Sequence, residues 1–311
     1  MVSITEIVKK PQKLACGHRL CPGCGAGVVV NLVLSSIDTP VVIANATGCL
    51  EVSTTVYPYT SWNTPFIHSA FENAAATISG VEGAYRSLKR RGKINGEIYF
   101  AAFGGDGGTY DIGLQSLSGA LERGHDFVYV CYDNGAYMNT GVQRSSATPF
   151  GASTTTSPAG KEIPGKPHYK KDITRIVAAH EIPYVAQASV SHWKDLVKKS
   201  KKAFETKGPA FINVIAPCPT GWVYDPKDTI KLAREAVYSC IWPLYEVEDG
   251  KYKLSFDPKK KKTDVAGWLK QQRRFRHLFE PQNEYLLDEI QGETDKKWNE
   301  LLEESSSGKR K

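Results

Sequence analysis

"EIYFAAFGGDGGTYDIGLQSLSGALERGHDFVYVCYDN", residues 97–134, decides the fold. "EIYFAAF" (97–103) is an unbroken apolar run of strand length, and "GGDGG" (104–108) is a glycine turn. "YDIGLQSLSGALERG" (110–124) has helical spacing and stops on glycine, and "DFVYVCYDN" (126–134) is a second buried-type strand. Strand, helix and strand within about 35 residues make a βαβ unit, whose two strands lie parallel and adjacent.

The same grammar extends in both directions. Downstream, "DITRIVAAHE" (172–181), "YVAQAS" (184–189), "WKDLVKKSKKAFET" (193–206) and "PAFINVIAPC" (209–218) alternate helix and strand. Upstream, "PVVIANA" (40–46) reads as a strand ending at "TGC", between helices expected over 27–37 and 68–92. The fold class is therefore α/β, a mostly parallel sheet with helices on both faces. Residues 140–170 form a long Gly/Ser/Thr/Pro loop of the kind that is functional or mobile. After about residue 250 the chain turns charged and helical. This divides it into a body, 1–250, and a C-terminal helical arm, 251–311, that packs on the body or on a partner subunit.

Bulk properties exclude several classes. The most apolar stretch, "VVVNLVLSSI", is broken by Asn31 and two serines and is far too short for a membrane span. The amino-terminal "MVSITEIVKKPQ" is charged and lacks a hydrophobic core, so no signal peptide is expected and the location is cytoplasmic. Cytosolic thiols stay reduced, which disfavours disulfides among the seven cysteines. The net charge of +7 owes part of its value to "KKKK" (259–262) and the terminal "GKRK", a solvated basic surface. No aromatic-interleaved basic stretch points to nucleic acid.

Ligands of open α/β sheets bind beyond the carboxyl ends of the strands, where two polar clusters fall. "GGDGG" ends one strand and "YDN" ends its neighbour, so Asp106 and Asn134 lie side by side. Glycine amides suit phosphate oxygens, and a carboxylate with an amide oxygen suits Mg²⁺. A Mg²⁺–diphosphate site competes here with a dinucleotide site and with a plain turn. Gly105, Gly107 and Asp133 would fit the dinucleotide reading, but Tyr110 holds the third glycine position.

The cysteines divide by position. Cys131 in a strand and Cys240 in the helical-looking "AVYSCIWPLY" read as buried core thiols. Cys21, Cys24, Cys49 and Cys218 stand in loops at element ends on one rim, where four thiolates suit zinc or a [4Fe–4S] cluster. A lone dithiol at "CPGC" would leave Cys49 and Cys218 without a role. Cys16 is a spare candidate, and His18 reads as a structural hydrogen-bonder. A zinc-stapled nucleotide-binding module is the alternative from a different functional class.

"GHRLCPGCGAG", "IANATGCLEVSTTVYPYTSW", "AFENAAATISGVEGAY", the stretch from "AFGGDGG" to "QRSSATP", "WPLYEV" and "WLKQQRRF" together span most of the chain. Jointly they resemble the beta subunit of the 2-oxoacid:ferredoxin oxidoreductases, most closely the pyruvate branch. The resemblance implies a thiamin-diphosphate-binding fold with Mg²⁺ and one [4Fe–4S] cluster. It carries the cluster to Cys21, Cys24, Cys49 and Cys218, and Mg²⁺ to Asp106, Asn134 and the Ala136 carbonyl. Thr47, Gly48, Gly105 and Gly107 then fall at the cofactor, and Asn139 and Thr140 at the cofactor and substrate as catalytic positions. The implied reaction is oxidative decarboxylation of a 2-oxoacid, with electrons leaving one at a time to ferredoxin. The implied partners are an alpha subunit supplying the thiamin-activating Glu and substrate-binding residues, subunits with ferredoxin-like clusters, and coenzyme A for pyruvate. Neither Glu51 nor Glu72 takes the activating role. Gly135 follows "YDN" where the pyruvate branch usually has Glu, which leaves oxalate, without coenzyme A, as a second substrate reading.

Overall fold

In a computed structural model that describes residues 3–307, eight strands form one sheet. They are β1 (Val41–Ala46), β2 (Phe66–Ser69), β3 (Tyr99–Gly105), β4 (Val128–Asp133), β5 (Tyr184–Ser189), β6 (Ala210–Ile215), β7 (Leu244–Glu248) and β8 (Lys251–Phe256). Their order is β2-β1-β3-β4-β6-β5-β7-β8, parallel from β2 to β5, with β7 and β8 added antiparallel at one edge. β4, β5 and β6 are buried along their whole length, as expected of parallel strands covered on both faces.

The helices are α1 (Ile4–Lys9), α2 (Gly25–Ser35), α3 (Cys49–Thr54), α4 (Ala74–Arg90), α5 (Leu114–Glu122), α6 (Ile173–Ala178), α7 (Trp193–Glu205), α8 (Pro219–Trp222), α9 (Thr229–Tyr238), α10 (Val265–Lys270) and α11 (Tyr285–Ser307). Alternate strand residues feed two cores. Phe103, Val130, Tyr132 and Ile212 meet α2, α7, α9 and α10 on one face. Phe100, Tyr129, Cys131 and Phe211 meet α4, α5 and α6 on the other.

Several expectations are corrected. The helix expected over 68–92 begins only at Ala74, because Phe66–Ser69 hydrogen-bonds beside β1 as strand β2. Gly104 and Gly105 extend β3 and pair with Cys131 and Tyr132, so the turn starts at Asp106 and continues as one wide π-helical turn, Gly107–Asp111. The helix containing "AVYSC" ends at Tyr238. Cys240 follows at φ +61°, buried as expected, and the chain then enters β7. The segment after 250 opens as strand β8, whose alternation of exposed and half-buried residues marks a sheet edge, before it turns helical.

The carboxyl-terminal helices pack on the sheet. α11 sends Leu286 and Ile290 into the first core and Trp298 and Leu301 into the second. Arg175 grips Glu304 with two 2.8 Å hydrogen bonds. The 140–170 loop is pinned internally: Gly151 N–H donates to the Lys166 carbonyl, Lys166 N–H donates to the Ala152 carbonyl, and the buried Lys166 ammonium donates to the Ser146 and Thr148 carbonyls.

Candidate functional site

All six parallel strands end on one rim. There the register sets Gly105 beside Tyr132 and brings the turn after β3 against the loop after β4. Asp106 is fully buried. Its Oδ1 accepts the Asn134 backbone N–H at 3.2 Å and its Oδ2 accepts the Ser145 hydroxyl at 2.5 Å. One terminal atom of the Asn134 amide lies 2.8 Å from Asp106 Oδ1 and 2.9 Å from the Ala136 carbonyl oxygen. Turned one way, the amide nitrogen donates to both. Turned the other, three oxygens converge at the spacing of neighbouring ligands around Mg²⁺, about 3 Å for an octahedron of 2.1 Å bonds. Burial, and next the charge of Asp133, push the Asp106 carboxyl well above the ordinary carboxylate range. The site thus disfavours a bare anion and suits a carboxylate shared with a cation.

The surrounding groups hold this loop still. Trp222 Nε1 donates to the Asn134 carbonyl at 2.5 Å, and Thr148 Oγ1 to the Gly135 carbonyl at 2.7 Å. The Tyr137 hydroxyl donates to the Gly107 carbonyl at 3.0 Å, and its ring fills the space a side chain at 107 would need. The smallness of Gly107 therefore serves the packing of Tyr137.

The thiols expected to act together come from three loops that the backbone stitches. Gly25 N–H donates to the Pro217 carbonyl at 3.1 Å, and Arg19 N–H to the Ser53 carbonyl at 2.7 Å. Thr229 Oγ1 donates to the Gly23 carbonyl at 2.6 Å. These bonds set Cys21 and Cys24 against Cys218, which caps α8, and Cys49, which opens α3. The Cys218 sulfur accepts the Gly221 N–H at 3.3 Å, and Cys24 receives the amides of Ala26 and Gly27. Burial, reinforced by Cys218, Cys24 and Cys21, pushes the Cys49 thiol up to about 12. Burial likewise moves Cys218 up to about 11. Among the described residues no three His, Cys, Asp or Glu side chains are drawn together at metal-binding spacing, so the four thiols share a rim without closing into a quartet. Cys16 stands apart, its sulfur 3.6 Å from Gln12 Oε1. His18 Nδ1 is buried with no hydrogen-bond partner among the described residues.

Thr47 and Gly48 continue β1 onto the same rim. Thr47 Oγ1 is 2.8 Å from His68 Nε2, which in turn lies 3.6 Å from the buried Glu51. Asn139 and Thr140 are exposed at the loop tip, where Thr140 and Gln143 exchange hydrogen bonds of 2.5 and 2.6 Å.

Residues 46–214 match the thiamine pyrophosphate enzyme family, C-terminal TPP-binding domain. The pyruvate synthase subunit PorB of Methanocaldococcus jannaschii is 56% identical over 271 residues, covering 86% of this chain and 91% of that protein. The PorB of Thermotoga maritima is 51% identical, covering 96% and 93%. The ketoisovalerate oxidoreductase subunit VorB of Pyrococcus abyssi is 45% identical, with 87% of each chain covered. The chain is a beta subunit of the 2-oxoacid:ferredoxin oxidoreductase family. A solved 2-oxoglutarate:ferredoxin oxidoreductase from Magnetococcus marinus shares the fold, with a TM-score of 0.55, 23% identity and coverage of 72% of this chain and 79% of that one.

Membership in this oxidoreductase family replaces the readings as a zinc-stapled module and as a dinucleotide-binding protein and makes thiamin diphosphate the cofactor. The matched thiamin domain takes in Thr47, Gly48, Asp106, Asn134 and Asn139 but leaves Cys21, Cys24 and Cys218 outside it. In this beta subunit the supporting residues Ser145, Thr148, Trp222 and His68 escaped the sequence reading. Each lies far along the chain from its partner, and no local spacing marks it. No helix among the described residues is long and apolar enough to cross a membrane.

Proposed function

We propose that the oxygens of Asp106, Asn134 and Ala136 hold Mg²⁺ for thiamin diphosphate, and that Cys21, Cys24, Cys49 and Cys218 hold a [4Fe–4S] cluster. The substrate proposed is pyruvate, oxidised with coenzyme A to acetyl-CoA and CO₂. The observation that carries the metal reading is the convergence of the Asn134 amide on Asp106 Oδ1 and the Ala136 carbonyl. Support for the cluster comes from three stitched thiol loops and from backbone N–H groups already donated to the Cys24 and Cys218 sulfurs. Pyruvate is favoured because the PorB relatives, at 56% and 51% identity, carry that name.

Thiamin diphosphate, when bound, supplies the nucleophilic carbon for decarboxylation, and the cluster a one-electron acceptor. The chain's own residues position both. Asp106 gives the metal its charged ligand, while Ser145 and the Asn134 N–H fix the carboxylate's orientation. Trp222 holds the Asn134–Ala136 loop from behind. Thr47, Gly48, Gly105 and Gly107 border the cofactor, and Asn139 and Thr140 face the substrate from the exposed tip. That tip is open to an alpha subunit, which would contribute the activating Glu and the substrate-binding groups. Further subunits with ferredoxin-like clusters would pass electrons to ferredoxin. Seven free thiols suit a reducing cytoplasm.

The test is viologen or ferredoxin reduction by the whole complex, offered pyruvate, ketoisovalerate, 2-oxoglutarate and oxalate with and without coenzyme A. Coenzyme-A-dependent reduction with pyruvate fastest is expected. Faster turnover of another acid would reassign the substrate, and activity on none would overturn the reaction.

A further inference from the structure

Behind the Asn134–Ala136 loop, between the sheet and the carboxyl-terminal helices, lies a cavity of about 160 Å³. Tyr110, Lys170, Trp242, Trp268 and Arg274 line it, with Leu301 of α11 on the far wall. A space of this size accommodates a benzene-sized body.

Its charges are unevenly matched. Lys170 pairs with Asp133 while lying 4.4 Å from the Trp242 ring centre, and Lys297 pairs with Glu293 at 3.2 Å. Arg274 makes no such ion pair among the described residues: burial disfavours its charge, and the Cys218 thiol and the Asp133 and Asp106 carboxylates favour it only from farther off. The residue is 5% exposed, and its guanidinium lies 4.2 Å from the Trp222 ring centre. Its Nε donates to Gln272 Oε1 at 3.0 Å, but its Nη2 is buried with no hydrogen-bond partner among the described residues. Arginine keeps its charge in proteins, so a buried guanidinium with an empty donor is costly until an anion meets it.

We propose that this cavity binds a small monocarboxylate with an apolar body, its carboxylate on Arg274 and its body among Trp242, Trp268 and Leu301. A buried guanidinium with an unused donor and no ion pair calls for one anionic acceptor, and the planar fork of arginine fits a carboxylate. The aromatic walls favour an apolar remainder over a hydrated phosphate. The site is separate from the oxygens of Asp106, Asn134 and Ala136, and the inference stands whether or not they hold a metal.

The test titrates benzoate, with benzyl alcohol as its neutral counterpart, into the whole complex by calorimetry and tryptophan fluorescence. Saturable binding at one benzoate per copy of this chain is expected, with benzyl alcohol at least tenfold weaker. Arg274→Gln should weaken benzoate at least tenfold. Leu301→Trp, which fills the cavity and leaves the guanidinium in place, should do the same and decides the matter if the arginine variant does not fold. Benzoate affinity unchanged in both variants, or no saturation by roughly 10 mM, would overturn the proposal. So would an Arg274→Gln complex that changes the electron paramagnetic resonance of its iron while the unmodified complex ignores benzoate, because the guanidinium's partner would then be the thiolates.

Discussion

Gly25 donates its backbone N–H to the carbonyl oxygen of Pro217, 3.1 Å away, joining the loop of Cys21 and Cys24 to the loop of Cys218. The contact is so close that a Cβ on Gly25 would stand 2.7 Å from the Ala216 carbonyl carbon, against backbone that cannot swing aside. Gly25→Ala should therefore cost about 1–3 kcal/mol of stability and lower the iron content of the purified complex. Gly83→Ala in α4, with nothing within 4 Å of the added carbon, should instead stabilise by up to about 1 kcal/mol. Melting temperature and iron analysis on both variants check the pair. Equal behaviour would show that the stitch is dispensable.

Removing the Asp106 carboxylate should abolish Mg²⁺-dependent binding of thiamin diphosphate while leaving the brown colour of the complex. Ser145→Ala takes away only the hydroxyl that orients Oδ2, and the lost hydrogen bond to a charged group should weaken cofactor affinity about tenfold. Calorimetric titration of thiamin diphosphate with and without Mg²⁺ separates the two effects. Undiminished binding by Asp106→Ala would displace the metal from this carboxylate.

Iron analysis tests the thiols directly. The anaerobically purified complex should carry about four irons per copy of this chain beyond those of its ferredoxin-like subunits. Cys218→Ser should lose most of them, because its sulfur is the one presented by the α8 cap. Cys16→Ser should keep them all, since that thiol faces Gln12. Loss in both, or in neither, would redraw the ligand set.

What the sequence made legible follows the range of the interactions. The βαβ unit at 97–134 was readable because each element's pattern is local, and adjacency of β3 and β4 then placed Asp106 beside Asn134 without further information. β2 was hidden because four residues, Phe66–Ser69, owe their conformation to pairing with β1. β8 was hidden because its lysine-rich composition suits a helix as well as an exposed edge. Ser145 and Trp222 were invisible for the same reason: their partners, Asp106 and the Asn134 carbonyl, lie 39 and 88 residues away. The glycine at 107 was legible as necessary, but the Tyr137 ring that requires it was not.

Lys166 ties the 140–170 loop together from inside, and its titration gives that loop a pH signature. Its ammonium donates to the Ser146 and Thr148 carbonyls, neither of which carries a countercharge, and burial lowers it from 10.5 to about 8. Below about pH 8 both folded and unfolded chains carry the proton, so the full cost of the buried charge is present. Between about 8 and 10.5 the unfolded chain holds more protons than the folded one, so this group makes stability rise with pH. Burial shifts Cys49 and Cys218 upward, which acts in the opposite direction, but that contribution is common to any variant at 166. The stability margin of the unmodified chain over Lys166→Met should therefore shift in favour of the unmodified chain as pH climbs through this window. Urea unfolding at several pH values across it measures the margin. A margin independent of pH would mean that the Lys166 ammonium keeps its proton, held by the two carbonyls despite its burial.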